Sequence, residues 1–390
     1  MSREPLVNTL PCIVLNPGRE RSLQNFHPWV FSGAIQSKAS GLQNGDLVCV
    51  RSADAQFLGI GHYFDQSIAV KLLSFKQVDI DSAFWKSAIA NAYSLRVALG
   101  LVGSLSTNAF RLVNAEGDSL PGLIIDIYHK TAVIQCQTEG MARAIESISN
   151  ALQDTLPLER IYCKGGEHLQ AQYLLGESGN DIITENGLKF HIDWEKGQKT
   201  GFFLDQRENR ARLASISSGK RILNCFCYSG AFSIYALSGG ATRVDSVDAS
   251  ETAGELCKQN LALNFPESQH DFIKADCFDF LEASSDQYDI VIVDPPAFIK
   301  NRSALNSGIK GYDAINNLAL RRLKPGGFVL TFSCSQLLDR ATFREAVFKA
   351  ARRARRAVQV VSEFHAAACH PVSLYHPEGQ YLKGLLLRVS

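Results

Sequence analysis

From Arg221 to Leu330 the chain alternates short runs rich in β-branched residues with helical stretches, and this alternation points to an open, doubly wound sheet. Arg221-Ile222-Leu223-Asn224-Cys225-Phe226 reads as a first strand and residues 231–237 as the helix behind it. Residues 243–247 form a second strand ending at Asp248, followed by a helix from Glu251 to about Leu263. Phe272-Ile273-Lys274-Ala275 is a weaker third strand ending at Asp276. Tyr288-Asp289-Ile290-Val291-Ile292-Val293 is a fourth, opening onto Asp294-Pro295-Pro296-Ala297-Phe298. Gly326-Gly327-Phe328-Val329-Leu330 leads into Thr331-Phe332-Ser333-Cys334-Ser335 on a neighbouring strand. Near-continuous apolar runs belong to strands covered on both faces, and ligands of such sheets bind outside the carboxyl ends of the strands. Asp248, Asp276, Asp294 and Cys334 are therefore expected at one edge.

The turn after the first strand, Cys227-Tyr228-Ser229-Gly230, is no Gly-x-Gly-x-x-Gly fingerprint. A pyrophosphate needs closer backbone approach than this turn offers, which argues against a nicotinamide cofactor. A nucleoside without phosphates fits better. Asp248 can accept hydrogen bonds from both ribose hydroxyls and Asp276 can meet an adenine amino group, as S-adenosylmethionine requires. Strand-end aspartates also serve as helix caps, so one alone says little; three in register with a rigid Pro-Pro turn say more. With Cys334 beside them, the two segments read as a methyl-transfer site with a cysteine nucleophile.

Upstream the pattern differs. Residues 13–75 mix short apolar runs such as Leu47-Val48-Cys49-Val50-Arg51 and Ala69-Val70-Lys71-Leu72-Leu73 with turn signals, suggesting a small β-rich module. Gly59-Ile60-Gly61-His62-Tyr63-Phe64 reads as a Gly-rich strand connection or a functional loop. Residues 81–99 turn helical, 104–108 form a connector, and strand-like Leu123-Ile124-Ile125-Asp126 and 132–136 follow, giving a second α+β module. With 390 residues, 46% of them hydrophobic, the chain has material for several cores. The expected division is 1–76, 77–185 and 186–390.

No run of about 18 apolar residues occurs, and Met1-Ser2-Arg3-Glu4 starts neither a signal peptide nor a lipidation motif, so a cytoplasmic protein without a membrane segment is expected. Ten cysteines in such a chain argue for reduced thiols rather than a disulfide framework. No cluster has zinc spacing, and no metal is expected. The net charge of +1 offers no global attraction to nucleic acid, which leaves local patches. The densest, Arg352-Arg353-Ala354-Arg355-Arg356, ends a helix running from about Thr342. There it serves either RNA contact or the helix dipole.

Several motifs together resemble the RlmI-type bacterial large-subunit ribosomal RNA cytosine-C5 methyltransferases. They are residues 27–33 (His-Pro-Trp-Val-Phe-Ser-Gly), 120–126 (Leu-Pro-Gly-Leu-Ile-Ile-Asp), 199–207 (Lys-Thr-Gly-Phe-Phe-Leu-Asp-Gln-Arg), 224–230, the two segments at Asp294 and Cys334, and 375–384 (Tyr-His-Pro-Glu-Gly-Gln-Tyr-Leu-Lys-Gly). The resemblance implies an N-terminal PUA-like RNA-binding domain, a central α+β domain and a class I Rossmann-like methyltransferase domain. It implies an S-adenosylmethionine site lined by Asp205, Arg207, Asn224, Cys225, Phe226, Tyr228, Ser229, Gly230, Asp248, Asp276, Asp294 and Pro295. Cys334 matches the catalytic cysteine, and 23S ribosomal RNA or a large-subunit particle would be the substrate. Homodimerisation is left open. Ala297 departs from the pattern: the family favours lysine there, and another branch of RNA C5 methyltransferases carries a second cysteine that assists release.

The residue types suit the implied chemistry. C5 of cytosine is a poor nucleophile until a thiolate, here Cys334, adds to C6. A free thiol has a pKa of about 8.5, so the site must favour its ionised form. Asp294 is suited to bind or protonate N3, and Phe298 either stacks on the base or packs beneath it. Two other readings stay open: N-methylation of a purine directed by the Asp294-Pro295-Pro296 turn, and a non-catalytic ribosome assembly factor.

Overall fold

The computed structural model describes residues 9–179 and 181–390; Met1-Ser2-Arg3-Glu4 lie outside them. The chain forms two compact units. One takes the chain through Asp181 together with Ile192–Phe202 and Ala368–Gly379; the other comprises Ile182–His191, Phe203–Ala367 and Gln380–Ser390.

The second unit is built on a seven-stranded sheet. Its strands are β1 (Arg221–Cys225), β2 (Arg243–Asp248), β3 (His270–Lys274), β4 (Tyr288–Val293), β5 (Leu323–Ser333), β6 (Val358–Phe364) and β7 (Lys383–Val389). They lie in the order β3-β2-β1-β4-β5-β7-β6. The first five pair in parallel, whereas β7 runs antiparallel to both β5 and β6. Helices α1 (Arg207–Ala214), α2 (Ala231–Ser238), α3 (Glu251–Asn264), α4 (Cys277–Ala283), α5 (Leu305–Arg321) and α6 (Arg340–Ala354) complete it. Alternate residues of β4 serve opposite faces: Ile290 and Ile292 join a cluster with Leu213, Phe232 and Ala236, while Val291 and Val293 join one with Tyr312, Ile315 and Phe343. Burial on both faces at about 1.5–3 kcal/mol per large aliphatic side chain explains why β4 is apolar at successive positions. Chain order reverses direction between β1 and β4, which makes their carboxyl ends the topological switch point.

Sequence boundaries hold within one or two residues where caps are strong. Asp81 caps the helix Ser82–Ala98 by accepting from the Phe84 amide, and Asp339 caps α6 by accepting from Thr342 N at 2.7 Å. The arginines at the end of α6 are partly occupied: Arg356 donates to Leu323 O at 2.9 Å, and Arg353 pairs with Asp313 at 3.3 Å. Strands β6 and β7 carry no strong turn signals and escape the sequence reading.

The first unit contains a six-stranded and a five-stranded sheet. Buried arginines brace it: Arg96 meets Asp118 through both guanidinium ends, and Arg111 grips Asp126 with two hydrogen bonds of 2.8 Å. Motif residues distant in sequence meet here, with the rings of Trp29 and His376 4.3 Å apart.

Two expectations need correction. Residues 59–63 are neither loop nor connection, since Phe57–Tyr63 is a buried strand that ends just before Phe64. Its glycines are there for closeness: a Cβ on Gly61 would lie 2.2 Å from Lys71 O of the adjacent strand. The thiols are also not all reduced. Cys12 and Cys49 form a disulfide, and the other eight cysteines keep their thiols. The parallel pairing of Cys12–Leu15 with Leu47–Arg51 sets these two residues opposite each other with Cα atoms 4.8 Å apart, a register that a separation of 37 residues does not reveal.

Candidate active site

At the switch point, β4 and β5 run side by side with Val293 opposite Thr331. Two residues beyond Val293 is Pro295 and three beyond Thr331 is Cys334; the Cys334 thiol points at Pro295 O, 3.9 Å away. Asp294 and Cys334 are both half-buried at this edge. Asp294 is held from the side: its Oδ2 accepts from Gln206 Nε2 at 3.0 Å, and Gln206 Oε1 accepts from Asn209 Nδ2 at 2.6 Å. Asn209 is itself fixed by donating to His365 O at 3.0 Å. Ser335 anchors the other strand end, because its Oγ accepts from Ile299 N at 3.1 Å and lies 2.8 Å from the Tyr312 hydroxyl.

The turn between β1 and α2 is strained in a specific way. Phe226, Tyr228 and Gly230 all have positive φ, at 60°, 45° and 74°. Non-glycine residues avoid that region unless their surroundings hold them, and such residues cluster where ligands are clamped. Phe226 N donates to Cys277 Sγ at 3.2 Å, Tyr228 N donates to Asp248 Oδ2 at 3.0 Å, and Ser229 O accepts from Asn260 Nδ2 at 3.1 Å. A Cβ on Gly230 would lie 2.4 Å from Cys257 Sγ, so only glycine fits.

The residues present fit S-adenosylmethionine. Asn224 is buried beneath the turn, with its Nδ2 donating to Ser233 Oγ at 2.9 Å and its Oδ1 left without a hydrogen-bond partner among the described residues. Asp248 is half-buried, and each of its oxygens accepts one backbone N–H, from Tyr228 and from Ser250. Each retains lone-pair capacity for a ribose hydroxyl.

Other sequence candidates have visible structural duties. Asp276 is exposed and caps α4, its Oδ1 accepting from Phe278 N at 2.8 Å and Asp279 N at 3.3 Å. Cys225 is buried, and a hydrogen bond to Cys277 with burial pushes its thiol well above the ordinary value, so it stays protonated. Asp205 Oδ2 accepts from the Tyr381 hydroxyl at 2.6 Å. Arg207 and Arg210 both pair with Glu185, at 3.4 and 2.6 Å, in a buried cluster with the Tyr235 hydroxyl. Phe298 is half-buried against Tyr312, with ring centroids 4.8 Å apart, and against Phe278 at 6.1 Å.

Two residues at the site were not singled out from the sequence. Gln206 stood unremarked between Asp205 and Arg207. Lys383, the first residue of β7, is buried and opposite Ser333 in register, and its Nζ donates to Ser335 O at 2.6 Å. Burial lowers its pKa to about 8 from 10.5, against a partial upward pull from Cys334. A lysine opening a strand whose next four residues are Gly-Leu-Leu-Leu, within the 375–384 motif, was the available signal.

Comparison with known proteins agrees with this geometry. Residues 165–368 match the family of S-adenosylmethionine-dependent methyltransferases, and residues 13–75 match a PUA-like domain. The chain is 40% identical over 396 residues to the ribosomal RNA large subunit methyltransferase I of Pseudoalteromonas atlantica, covering 97% of this chain and 99% of that one. It is likewise 40% identical over 394 residues to the protein of that name from Shewanella denitrificans, with the same coverage. Among solved structures, one from Streptococcus mutans described as a SAM-dependent methyltransferase superposes with a TM-score of 0.85 at 24% identity, covering 97% of this chain and all of that one. A methyltransferase solved as a complex with SAH superposes at 0.86 with 23% identity. With a relative this similar over nearly its whole length, a methyltransferase match over more than half of the chain and a PUA-like module at the front, the chain belongs to the ribosomal RNA large subunit methyltransferase I family of S-adenosylmethionine-dependent enzymes.

Proposed function

We propose that this chain methylates C5 of a cytosine in 23S ribosomal RNA, with Cys334 forming a transient covalent bond to the base. The observation that carries this reading is the meeting of the Cys334 thiol with the Asp294-Pro295 turn at adjacent strand ends. A nucleophile for C6 and a carboxylate for N3 then flank one base. The Cys334 thiolate adds to C6, and the displaced π electrons are drawn toward N3, where Asp294, acting as a carboxylic acid, supplies a hydrogen bond or a proton. Bound S-adenosylmethionine supplies an electrophilic methyl group. After transfer, which leaves S-adenosylhomocysteine, the C5 proton passes to a base, the electron pair it leaves forms the C5–C6 double bond and expels the Cys334 thiolate, and N3 returns any proton to Asp294, so the cysteine emerges unchanged.

The cytosine must leave its stack to reach a half-buried thiol, at a cost of a few kcal/mol, which favours an accessible loop or bulge. The PUA-like module supports a reading in which RNA shape and phosphates are gripped away from the chemistry. Action on ribosomal RNA also fits a cytoplasmic location.

The test is nucleoside mass spectrometry of ribosomal RNA from cells lacking the protein, after incubation with purified enzyme and methyl-labelled S-adenosylmethionine. Wild type is expected to produce labelled 5-methylcytidine and Cys334→Ala none. Label in an N-methylated purine, or equal activity in the variant, would reassign the chemistry to an amine positioned by Asp294. S-adenosylmethionine binding without methylation of any RNA would point to an assembly factor.

A further inference from the structure

Lys383 is an unusual resident of the sheet. Its side chain is buried at the carboxyl edge, and among the described residues no carboxylate lies within ion-pair distance of its ammonium. Lysine is almost never buried without a compensating partner. The one bond it makes, to Ser335 O, fixes Nζ against the residue that follows Cys334 and leaves two of its three N–H groups for other acceptors. Ser335 is itself held by Ile299 N and Tyr312, so the lysine rests on a rigid support.

The electrostatic surroundings are sparse. The groups acting on the ammonium are Cys334 from the end of β5 and the pair Asp339 and Arg340 from the start of α6. Tyr312, from α5, acts on neither as a charge in its neutral form, though it senses charge on Cys334. Asp339 is engaged in capping α6, and Arg340 binds Glu363 and His365. Of the two anionic neighbours, Cys334 acts on the ammonium more strongly than Asp339, whose charge is shared with the start of α6.

We infer that Lys383 is a positioning residue that stabilises the thiolate of Cys334. This rests on the reading of Cys334 as the nucleophile for its importance to turnover. In the ionisation step the thiol proton passes to water, Lys383 keeps its own three protons, and the result is a thiolate beside an ammonium. A poorly hydrated ammonium makes the stronger counter-ion, because little water competes for it. On expulsion from C6 the cysteine returns to this same ion pair, which favours release of product. The arrangement supplies a cation at the strand end in a chain whose Pro-Pro turn is followed by Ala297.

The experiment is site-resolved alkylation. Full-length protein is treated with iodoacetamide between about pH 6 and pH 10, and the rate at Cys334 is read from its peptide by mass spectrometry. Wild type is compared with Lys383→Met, Lys383→Gln and Lys383→Arg, each checked for S-adenosylhomocysteine binding to establish that the site is folded. Lys383→Gln retains a donor for Ser335 O while removing the charge. The midpoint of the Cys334 profile is expected to rise by roughly one pH unit or more in the Met and Gln variants, a tenfold loss of thiolate at a given pH, and to return toward wild type with arginine. Equal midpoints in all four proteins overturn the inference. If the midpoint shifts but Cys334→Ala still makes 5-methylcytidine, the ion pair stands and the proposed nucleophile falls. If Cys334→Ala is inactive but no midpoint shifts, the nucleophile stands and the role of Lys383 falls.

Discussion

Gln206 donates to Asp294 Oδ2 at 3.0 Å from a turn that precedes α1, so the carboxylate at the end of β4 is aimed by a residue 88 positions away. The aim is itself fixed, because Asn209 donates to the Gln206 oxygen at 2.6 Å and cannot do so if the amide is flipped. Both side chains are buried, where an amide without partners costs about 1–3 kcal/mol.

Gln206→Leu is therefore expected to lower the methylation rate by about tenfold to a hundredfold, from ~1–3 kcal/mol of lost positioning, while S-adenosylhomocysteine affinity changes little. Single-turnover kinetics alongside calorimetric binding separates the two. A large loss of cofactor affinity with normal turnover would mean that Gln206 serves the cofactor instead of Asp294.

Glu185 bears two buried arginines. Its side chain is fully buried, and Arg207 and Arg210 are 4% and 1% exposed. Removing the shared anion by Glu185→Ala strands two buried cations and is expected to destabilise the second unit by about 3–5 kcal/mol, read as a shift in the urea midpoint. A shift under ~1 kcal/mol would show that water or other acceptors replace the carboxylate.

Gly230→Ala tests the strained turn. At φ 74° with Cys257 Sγ 2.4 Å from the added methyl, the turn must move. Overpacking of this kind costs about 1–3 kcal/mol. S-adenosylhomocysteine binding should weaken by about tenfold, and Cys257→Ala in the same chain should recover part of the loss by making room. Calorimetry on the single and double variants checks both.

Lys383 should leave a signature in the pH dependence of stability. Burial lowers its folded pKa to about 8, against an ordinary 10.5. Between those values the unfolded chain binds the extra proton, so unfolding free energy rises with pH across that window, is flat below it and gains nothing above it. Relative to Lys383→Met, wild type is expected to gain stability from about pH 8 to pH 10.5 in chemical denaturation. Parallel curves for the two proteins would mean that the lysine titrates normally.

RNA affinity should depend on salt despite a net charge of only +1. If three or more phosphates are contacted, counterion release predicts a Kd that rises roughly tenfold or more from 50 to 200 mM salt. Filter binding to ribosomal RNA across that range measures the slope, and a flat response would count against phosphate contacts.

Much of the methyltransferase unit is legible in the sequence because its determinants are local. A continuous β-branched run marks β4, since that strand must be apolar on both faces, and shorter apolar runs bounded by turn signals mark β1 and β2. Asp339 and Asp81 announce helix starts because a cap acts within three residues of itself. Pro295 and Cys334 could be assigned to one edge because parallel strands delivered in chain order end at the same side of the sheet. Register and non-local pairing were decided elsewhere. No pattern in the string tells Cys12 from the other nine cysteines; only the parallel alignment of its strand with that of Cys49 brings two sulfurs together. Likewise Gln206 meets Asp294, and Lys383 meets the strand end of Cys334, across 88 and about 50 residues through packing that no short-range rule contains. Local patterning alone shows which residue types stand at the carboxyl edge. Folding settled which carboxylates were already spent on caps, as at Asp276, and which buried cation bonds to the residue after Cys334, because hydrogen bonds and burial are properties of the packed chain.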